Sequence, residues 1–360
     1  MTDALRDVLL RDYQPRSCLV VAEHAVERAR YPAIDAHNHL GRWLSPDGDW
    51  IIRDVPALIA LMDECNVTGI VNLDGKWGDE LEANLDRYDR AHPGRFATFC
   101  HVDWTEAASP GFENRLVASL RQSAAAGAKG LKVWKDLGLH FTGPDGNLLM
   151  PDDPRLSDLW DEAGALGLPI LIHTADPVAF FQPIDRFNER LEELLRHPEW
   201  SFCDPRFPSF ERLIDAFEAI VAAHPRTIFI GAHVGCYAEN LGWVGRMCAA
   251  YPNFHVDIGA RINELGRQPR ATAEFITRHV DRVLFGTDVF PPSVAKYGLY
   301  FRFLETEDEY FPYEPNDVGR NGRWRMSAVA LADDALRAVY RDNARRLLPC
   351  LVMGDSAHAW

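Results

Sequence analysis

From residue 33 onward, short runs of apolar and β-branched residues alternate with longer stretches whose apolar positions recur every three to four residues. The first kind predicts buried strands and the second amphipathic helices. Eight runs have strand character: AIDAHNHL (33–40), VTGIVNLDG (67–75), RFATFCHVDW (95–104), AKGLKVWKD (128–136), PILIHTAD (169–176), TIFIGAHVG (227–235), FHVDIGA (254–260) and RVLFGTDVF (282–290). Between them, VPALIALMDECN, ENRLVASLRQSAAAG, FERLIDAFEAIVAAH and AENLGWVGRMCAAY carry helical spacing. Glycine or proline closes several helices just ahead of the next strand, as in AAAGAKG, ALGLP, AAHPRT and AYPNF. This alternation predicts a parallel sheet, and eight repeats over roughly 250 residues match an α/β fold of the (β/α)8 TIM barrel type. A doubly wound sheet is the alternative. The barrel is preferred because polar residues with chemical capability sit at the carboxyl ends of at least four runs, where barrel enzymes place their active sites.

Residues 1–30 stand outside the rhythm as an N-terminal extension, 31–350 form one barrel domain, and 351–360 form a C-terminal tail. Two connections are long. Residues 177–208 extend the loop after the fifth strand, and 291–326 extend the loop after the eighth. The second is dense in aromatics (Tyr297, Tyr300, Phe301, Phe303, Tyr310, Phe311, Tyr313, Trp324), which suits a lid, a structural flap or the contact surface of a homodimer.

Composition narrows the class without changing the fold. Apolar residues make up 47% and charged residues 25%, values typical of a soluble globular chain with a sizeable core. The N-terminus has early acidic residues and no apolar stretch of signal-peptide length, and no later segment approaches a membrane span. The expected location is the cytoplasm. Seven scattered cysteines, never spaced Cys-x-x-Cys, read as reduced structural thiols. A formal charge of -15 with no basic cluster along the chain excludes nucleic acid and anionic membranes as partners, leaving a small-molecule substrate.

The candidate chemistry begins with His37 and His39. Strand alternation places them on one face together with Asp35, and two neighbouring imidazoles can hold one divalent ion. As an isolated pair they are weak. The fifth run adds His173, the sixth His233 and the eighth Asp288. Four strand ends offering only His and Asp supply a complete set of nitrogen and oxygen ligands, suited to zinc and acceptable to manganese or iron. His101, His140, His224, His255 and His279 have no companion ligand pattern and read as structural.

The motifs DAHNHLG, LIHTADP, GAHVG, YPNFHVDIGA and DRVLFGTD fall in this order along runs one, five, six, seven and eight. In this the chain resembles the amidohydrolase superfamily, in the amidohydrolase-related branch that includes aminocarboxymuconate-semialdehyde-decarboxylase-like proteins. The resemblance implies that His37, His39, His173 and Asp288 hold one divalent metal, zinc first, with manganese or iron as alternatives. It makes His233 a catalytic base or polariser, with Asp288 also moving protons. Lys132 and Lys135 lie near the place where binuclear relatives carry a carboxylated, bridging lysine. A second metal is expected only if one of them is carboxylated. With one metal, Lys132 is a substrate-side cation and Lys135 a rim residue. Arg261 is a candidate for a substrate carboxylate, and Asp257 for orienting a ligand.

The function implied is a metal-dependent hydrolase using a metal-activated water on an amide, ester or lactone of a small anionic substrate. A metal-dependent non-oxidative decarboxylase, a carbon–carbon lyase of the same branch, is the alternative. A catalytically inactive metal-binding barrel is the third.

Overall fold

A computed structural model describes residues 6–9, 12–13, 15–313 and 321–351. The tail assigned to 351–360 lies, past Leu351, outside the described residues. Eight parallel strands follow in chain order: β1 (Ala33–Asn38), β2 (Val67–Asn72), β3 (Phe96–Thr98), β4 (Leu131–Val133), β5 (Ile170–Ile172), β6 (Phe229–Gly231), β7 (Phe254–Asp257) and β8 (Val283–Leu284). Continuous ladders run β1-β2-β3 and β4-β5-β6-β7-β8. Backbone hydrogen bonds cross both remaining seams. Lys132 N donates to Cys100 O (2.8 Å) between β4 and the end of β3, and Ala36 N donates to Phe285 O (2.9 Å) between β1 and the end of β8. The chain is a (β/α)8 TIM barrel.

The helices form where the apolar spacing predicts them, and local chemistry sets their ends. Asp54 accepts from Ala57 N (2.9 Å) to start Val55–Cys65, and left-handed Asn66 stops it. Ser209 caps Phe210–Ala223, which buries Leu213, Ile214, Phe217, Ile220 and Val221. These recur at helical spacing on one stripe, and each stabilises the layer by roughly 1.5–3 kcal/mol. The helix expected from residue 238 begins instead at Leu241, because the Asn240 side chain accepts from Trp243 N (3.0 Å).

Apolar residues fill two layers. Ile34, Val71, Ala97, Leu171, Ile230 and Leu284 belong to a cluster inside the barrel, shared with Leu348 and Leu351 at its amino-terminal end. A larger cluster lies between strands and helices. The aromatic-rich connection after β8 contains a helix, Val294–Glu305, that buries Tyr297, Tyr300, Phe301 and Phe303 in the chain's own core. Those four rings are therefore packed within the chain, while Tyr310 of the same connection stays exposed. No helix among the described residues is long and apolar enough to cross a membrane. All seven cysteines are free.

Candidate metal centre

At the carboxyl end of the barrel, β1 delivers His37 and His39, both with no exposed surface. Strict alternation predicts Asp35 beside them, but the register of β1 shifts between Asp35 and Asn38. Asp35 turns instead to Thr287 N (2.9 Å), Thr287 Oγ1 (2.7 Å), Asn38 Nδ2 (2.8 Å) and Tyr297 Oη (3.0 Å). This ties the end of β8 to β1 and explains the buried helix behind it.

Three of the imidazoles near the centre are oriented through Nδ1. His37 Nδ1 donates to Asp257 Oδ2 (2.9 Å), His39 Nδ1 to Asp74 Oδ1 (2.6 Å) and His233 Nδ1 to the Gly259 carbonyl (2.8 Å). These acceptors fix the tautomer, so each Nε2 keeps a lone pair. The three Nε2 atoms face one carboxylate. Asp288 Oδ1 lies 3.7 Å from His37 and 3.5 Å from His39, and Oδ2 lies 3.8 Å from His233. Ligand atoms of His37, His233 and Asp288 all fall within 4.8 Å of one another. His37 Nε2 and His39 Nε2 are buried without hydrogen-bond partners, as are both ring nitrogens of His173. The His173 ring stands 4.4 Å from that of His233, and its Nε2 is 3.3 Å from Asp176 Oδ1 without hydrogen-bond alignment. Unpartnered buried nitrogens beside a carboxylate fit a divalent ion.

The backbone that aims these groups is strained. Strand character was expected through 235, but β6 ends at Gly231 and the chain turns left-handed at His233 (φ 58°, ψ 47°), Val234 (φ 60°, ψ 43°), Gly235 (φ 68°) and Cys236 (φ 60°). Each non-glycine residue there costs about 1–2 kcal/mol. Gly231 permits the reversal, since a Cβ on it would lie 2.7 Å from Gly235 Cα. Asp257 Oδ1 offsets part of the cost by accepting from His233 N (3.2 Å) and Gly259 N (2.8 Å). Asp288 (φ 56°) and Ala260 (φ 51°) are left-handed too. Strain concentrated at aligned polar groups is typical of functional sites.

Burial sets the electrostatics. It drives the His37 and His233 imidazoles far below their usual range and His173 down to about 4. It raises Asp257 to about 6, so that carboxyl remains ionised at neutral pH. Lys132 is fully buried, its Nζ has no hydrogen-bond partner, and burial lowers it to about 8 against the pull of Asp288 and Asp257. Lys135 sits on the rim, ion-paired to Asp176. Burial opposes charge on Asp176, yet the Lys135 ammonium and His173 hold its carboxyl well below the usual range.

A family model described as amidohydrolase matches residues 34–350. The chain belongs to the amidohydrolase family. A search of curated proteins returned no match. Among solved structures, an uncharacterised TIM-barrel protein from Bordetella bronchiseptica is 14% identical, covering 89% of this chain and 99% of its own, with a TM-score of 0.56. A 2,6-dihydroxybenzoate decarboxylase from Rhizobium is 18% identical, with 89% and 99% covered and a TM-score of 0.55. A dihydroxybenzoic acid decarboxylase from Polaromonas sp. JS666, solved with manganese and the inhibitor 2-nitroresorcinol, is 13% identical, with 89% and 97% covered and a TM-score of 0.56. At these identities the likeness is one of fold.

In this member of the family, a cavity of about 460 Å³ opens above Asp288, His173 and His233. Both long connections line it, through residues such as Arg190, Glu193 and Phe202 from the first and Tyr313 and Asn321 from the second. They also grip each other. Trp324 lies between the guanidinium groups of Arg190 (5.1 Å) and Arg267 (4.1 Å), and Arg323 pairs with Glu192 at 2.8 Å. Arg261 lines the cavity with no carboxylate within 4.0 Å among the described residues, although Glu264 and Glu239 keep it in a negative field. Lys132 lies deeper, against the Trp134 ring at 5.5 Å. Sequence reasoning passed over Asp74, the partner of His39. Its signal was an acid at a strand end before Gly75, where a Cβ would meet Phe99 O at 2.3 Å.

Proposed function

We propose that the chain is a metal-dependent hydrolase acting on an ester, amide or lactone of a small anionic substrate. The observation that carries this is the convergence of oriented, unpartnered Nε2 atoms on Asp288, whose side chain is 20% exposed and faces the cavity. His37, His39, Asp288 and either or both of His173 and His233 would hold one divalent ion, with zinc the first expectation for this donor set and manganese or iron the alternatives. A bound ion supplies Lewis acidity and brings the pKa of a water molecule down to about 7. Asp288 takes a proton from the attacking water and returns it to the leaving group. Neutral His233, with its proton fixed on Nδ1, offers only a lone pair at Nε2, so it acts as a ligand or base. Arg261 pairs with a substrate carboxylate at the far wall.

The mixed walls favour hydrolysis, since Asp176, Glu193 and Asn263 offer acceptors for a polar substrate. A second reading, non-oxidative decarboxylation, draws on the rings around the ligands. Trp134 stands edge-on to His39 (6.2 Å) and His173 (5.1 Å), and Phe290 edge-on to His39 (5.1 Å), a setting that suits a flat unsaturated acid.

The test is elemental analysis with parallel screens of esters, lactones, amides and carboxylic acids. About one metal per chain is expected, lost in His37→Ala and Asp288→Ala, together with acid release from a hydrolysable substrate. Carbon dioxide release without hydrolysis would replace the hydrolase by the lyase. An Asp288→Asn protein with metal and full activity would overturn both.

A further inference from the structure

The opposite end of the barrel holds a second polar constellation. His255 follows the same inward register on β7 as Asp257, two residues before it, and pairs in the ladder with Ile230 of the interior cluster. It is 2% exposed, and neither of its ring nitrogens has a hydrogen-bond partner. It lines a recess of about 360 Å³ with Arg226, Arg282 and Arg346, floored by Ile228 and Leu347. Arg226 comes from the turn before β6, Arg282 from the turn before β8 and Arg346 from the last helix, Asn343–Leu347. No local stretch of sequence is basic, which is why linear reading finds no cluster.

Among the described residues these three guanidinium groups face one carboxylate, Asp281, 3.6 Å from Arg282 Nε. Arg282 otherwise donates to Pro252 O (2.7 Å), and Arg346 to Asn343 Oδ1 (3.2 Å) and the Asp281 carbonyl. Arg226 makes no hydrogen bond or ion pair there. Arg226 and Arg346 reach solvent and Arg282 is half-buried, so the recess concentrates positive charge at an open mouth above buried His255 and is accessible to an anion. Its chemistry follows from the donors. A carboxylate has two oxygens and one charge, and one guanidinium fork satisfies it. Three guanidinium groups and an imidazole N–H in one recess match a dianion with three or four acceptor oxygens.

We infer that this recess binds a phosphoryl group, carried by inorganic phosphate or a small phosphomonoester. The site lies at the amino-terminal face of the barrel, and the metal centre lies at the carboxyl ends of the strands. The two are separated by the lengths of β6, β7 and β8 and share no lining residue, so this inference stands or falls independently of the proposed catalysis.

The experiment is calorimetric titration of the full chain with inorganic phosphate and with glycerol phosphate at low ionic strength, combined with imidazole NMR. Wild type, Arg226→Gln and Arg261→Gln are compared. The expected result is one phosphate per chain, at least about tenfold weaker in Arg226→Gln and unchanged in Arg261→Gln, with His255 ring resonances moving in step with the heat. Tighter binding of glycerol phosphate than of phosphate assigns the recess to a monoester, and the reverse order assigns it to the free ion. Absence of binding in wild type, binding lost only in Arg261→Gln, or heat with stationary His255 signals would each overturn it.

Discussion

Asp257 is the point where the reasoning is most open to test, because one carboxylate orients the His37 imidazole and holds the backbone of His233 and Gly259 at once. In Asp257→Asn the shape is kept and one acceptor becomes a donor. If the amide oxygen stays on the backbone N–H groups of His233 and Gly259, now 3.2 and 2.8 Å away, the amide nitrogen faces His37 Nδ1 across 2.9 Å. Two donors then oppose each other. The opposite rotamer leaves two buried backbone N–H groups without acceptors, at about 1–3 kcal/mol each. The cheaper escape is for His37 to move its proton to Nε2, which removes the lone pair facing Asp288. Loss of such an orienting partner weakens metal affinity about 10–100-fold, or about 1.4–2.7 kcal/mol. Competition with a metal-binding dye measures that change, and long-range nitrogen-proton NMR reads the His37 tautomer. Urea unfolding of the metal-free protein serves as the control and should move by no more than about 1 kcal/mol, since the substitution removes a carboxylate already opposed by burial. Wild-type metal affinity in Asp257→Asn, or an unchanged His37 tautomer, would refute the argument. Asp74→Asn should act the same way through His39.

Three further outcomes are expected. Arg261→Gln should raise KM for an anionic substrate about 10–100-fold with a smaller change in kcat, because the interaction is formed before the chemistry; equal losses in kcat and kcat/KM would move Arg261 to the reacting centre. Ala260→Gly should stabilise the chain by about 0.5 kcal/mol, relief of a left-handed alanine outweighing the added freedom of the unfolded chain, and a lower melting temperature would count against strain at that residue. Buried His255, brought down to about 4, stays neutral in the folded chain while its unfolded counterpart takes a proton near 6.5, so stability falls as pH drops between those values. The shift is worth on the order of 3 kcal/mol. Asp35 and Asp257, raised to about 6, act in the opposite direction, so the measurement is a comparison in phosphate-free buffer: between pH 7 and 4, His255→Asn should lose about 3 kcal/mol less unfolding free energy than wild type, and parallel profiles would refute the assignment.

The barrel was legible because buried parallel strands must be apolar and short, and because each helix has to stop at a residue that cannot continue it. The candidate site was legible for a related reason. A histidine or aspartate that follows an apolar run at a strand end has no packing role to explain it, and several such ends accumulate into one site. Asp74 escaped because an acid before glycine is also what a turn requires, and nothing local distinguishes the two. The left-handed run from His233 to Cys236 escaped because glycines at 231 and 235 are as compatible with a strand end as with a reversal. The aromatic density of 291–326 left a lid, a flap and a contact surface open for a different reason. Composition reports that rings need burial, and only the fold reports that the Val294–Glu305 helix buries them behind β1 and β8, where Tyr297 reaches Asp35.

The two ends of the barrel show where linear reading must fail. At the carboxyl end the candidate ligands come from strand termini, so each carries its own marker in the sequence, and the loops that shape the cavity are the part without one. Arg190 of the first long connection meets Glu264 beyond β7, and Trp324 of the second lies against Arg190; neither pairing has a local signature. At the amino-terminal end every component of the recess is of that second kind. Arg226, Arg282 and Arg346 sit in turns and a helix end, where arginine is unremarkable, and His255 sits inside a strand, where a lone histidine reads as packing. Only closure of the ring brings them to one place with both imidazole nitrogens unpartnered. A charge balance of -15 therefore describes the chain's average field and leaves open a cationic pocket wherever topology gathers arginines distant in sequence.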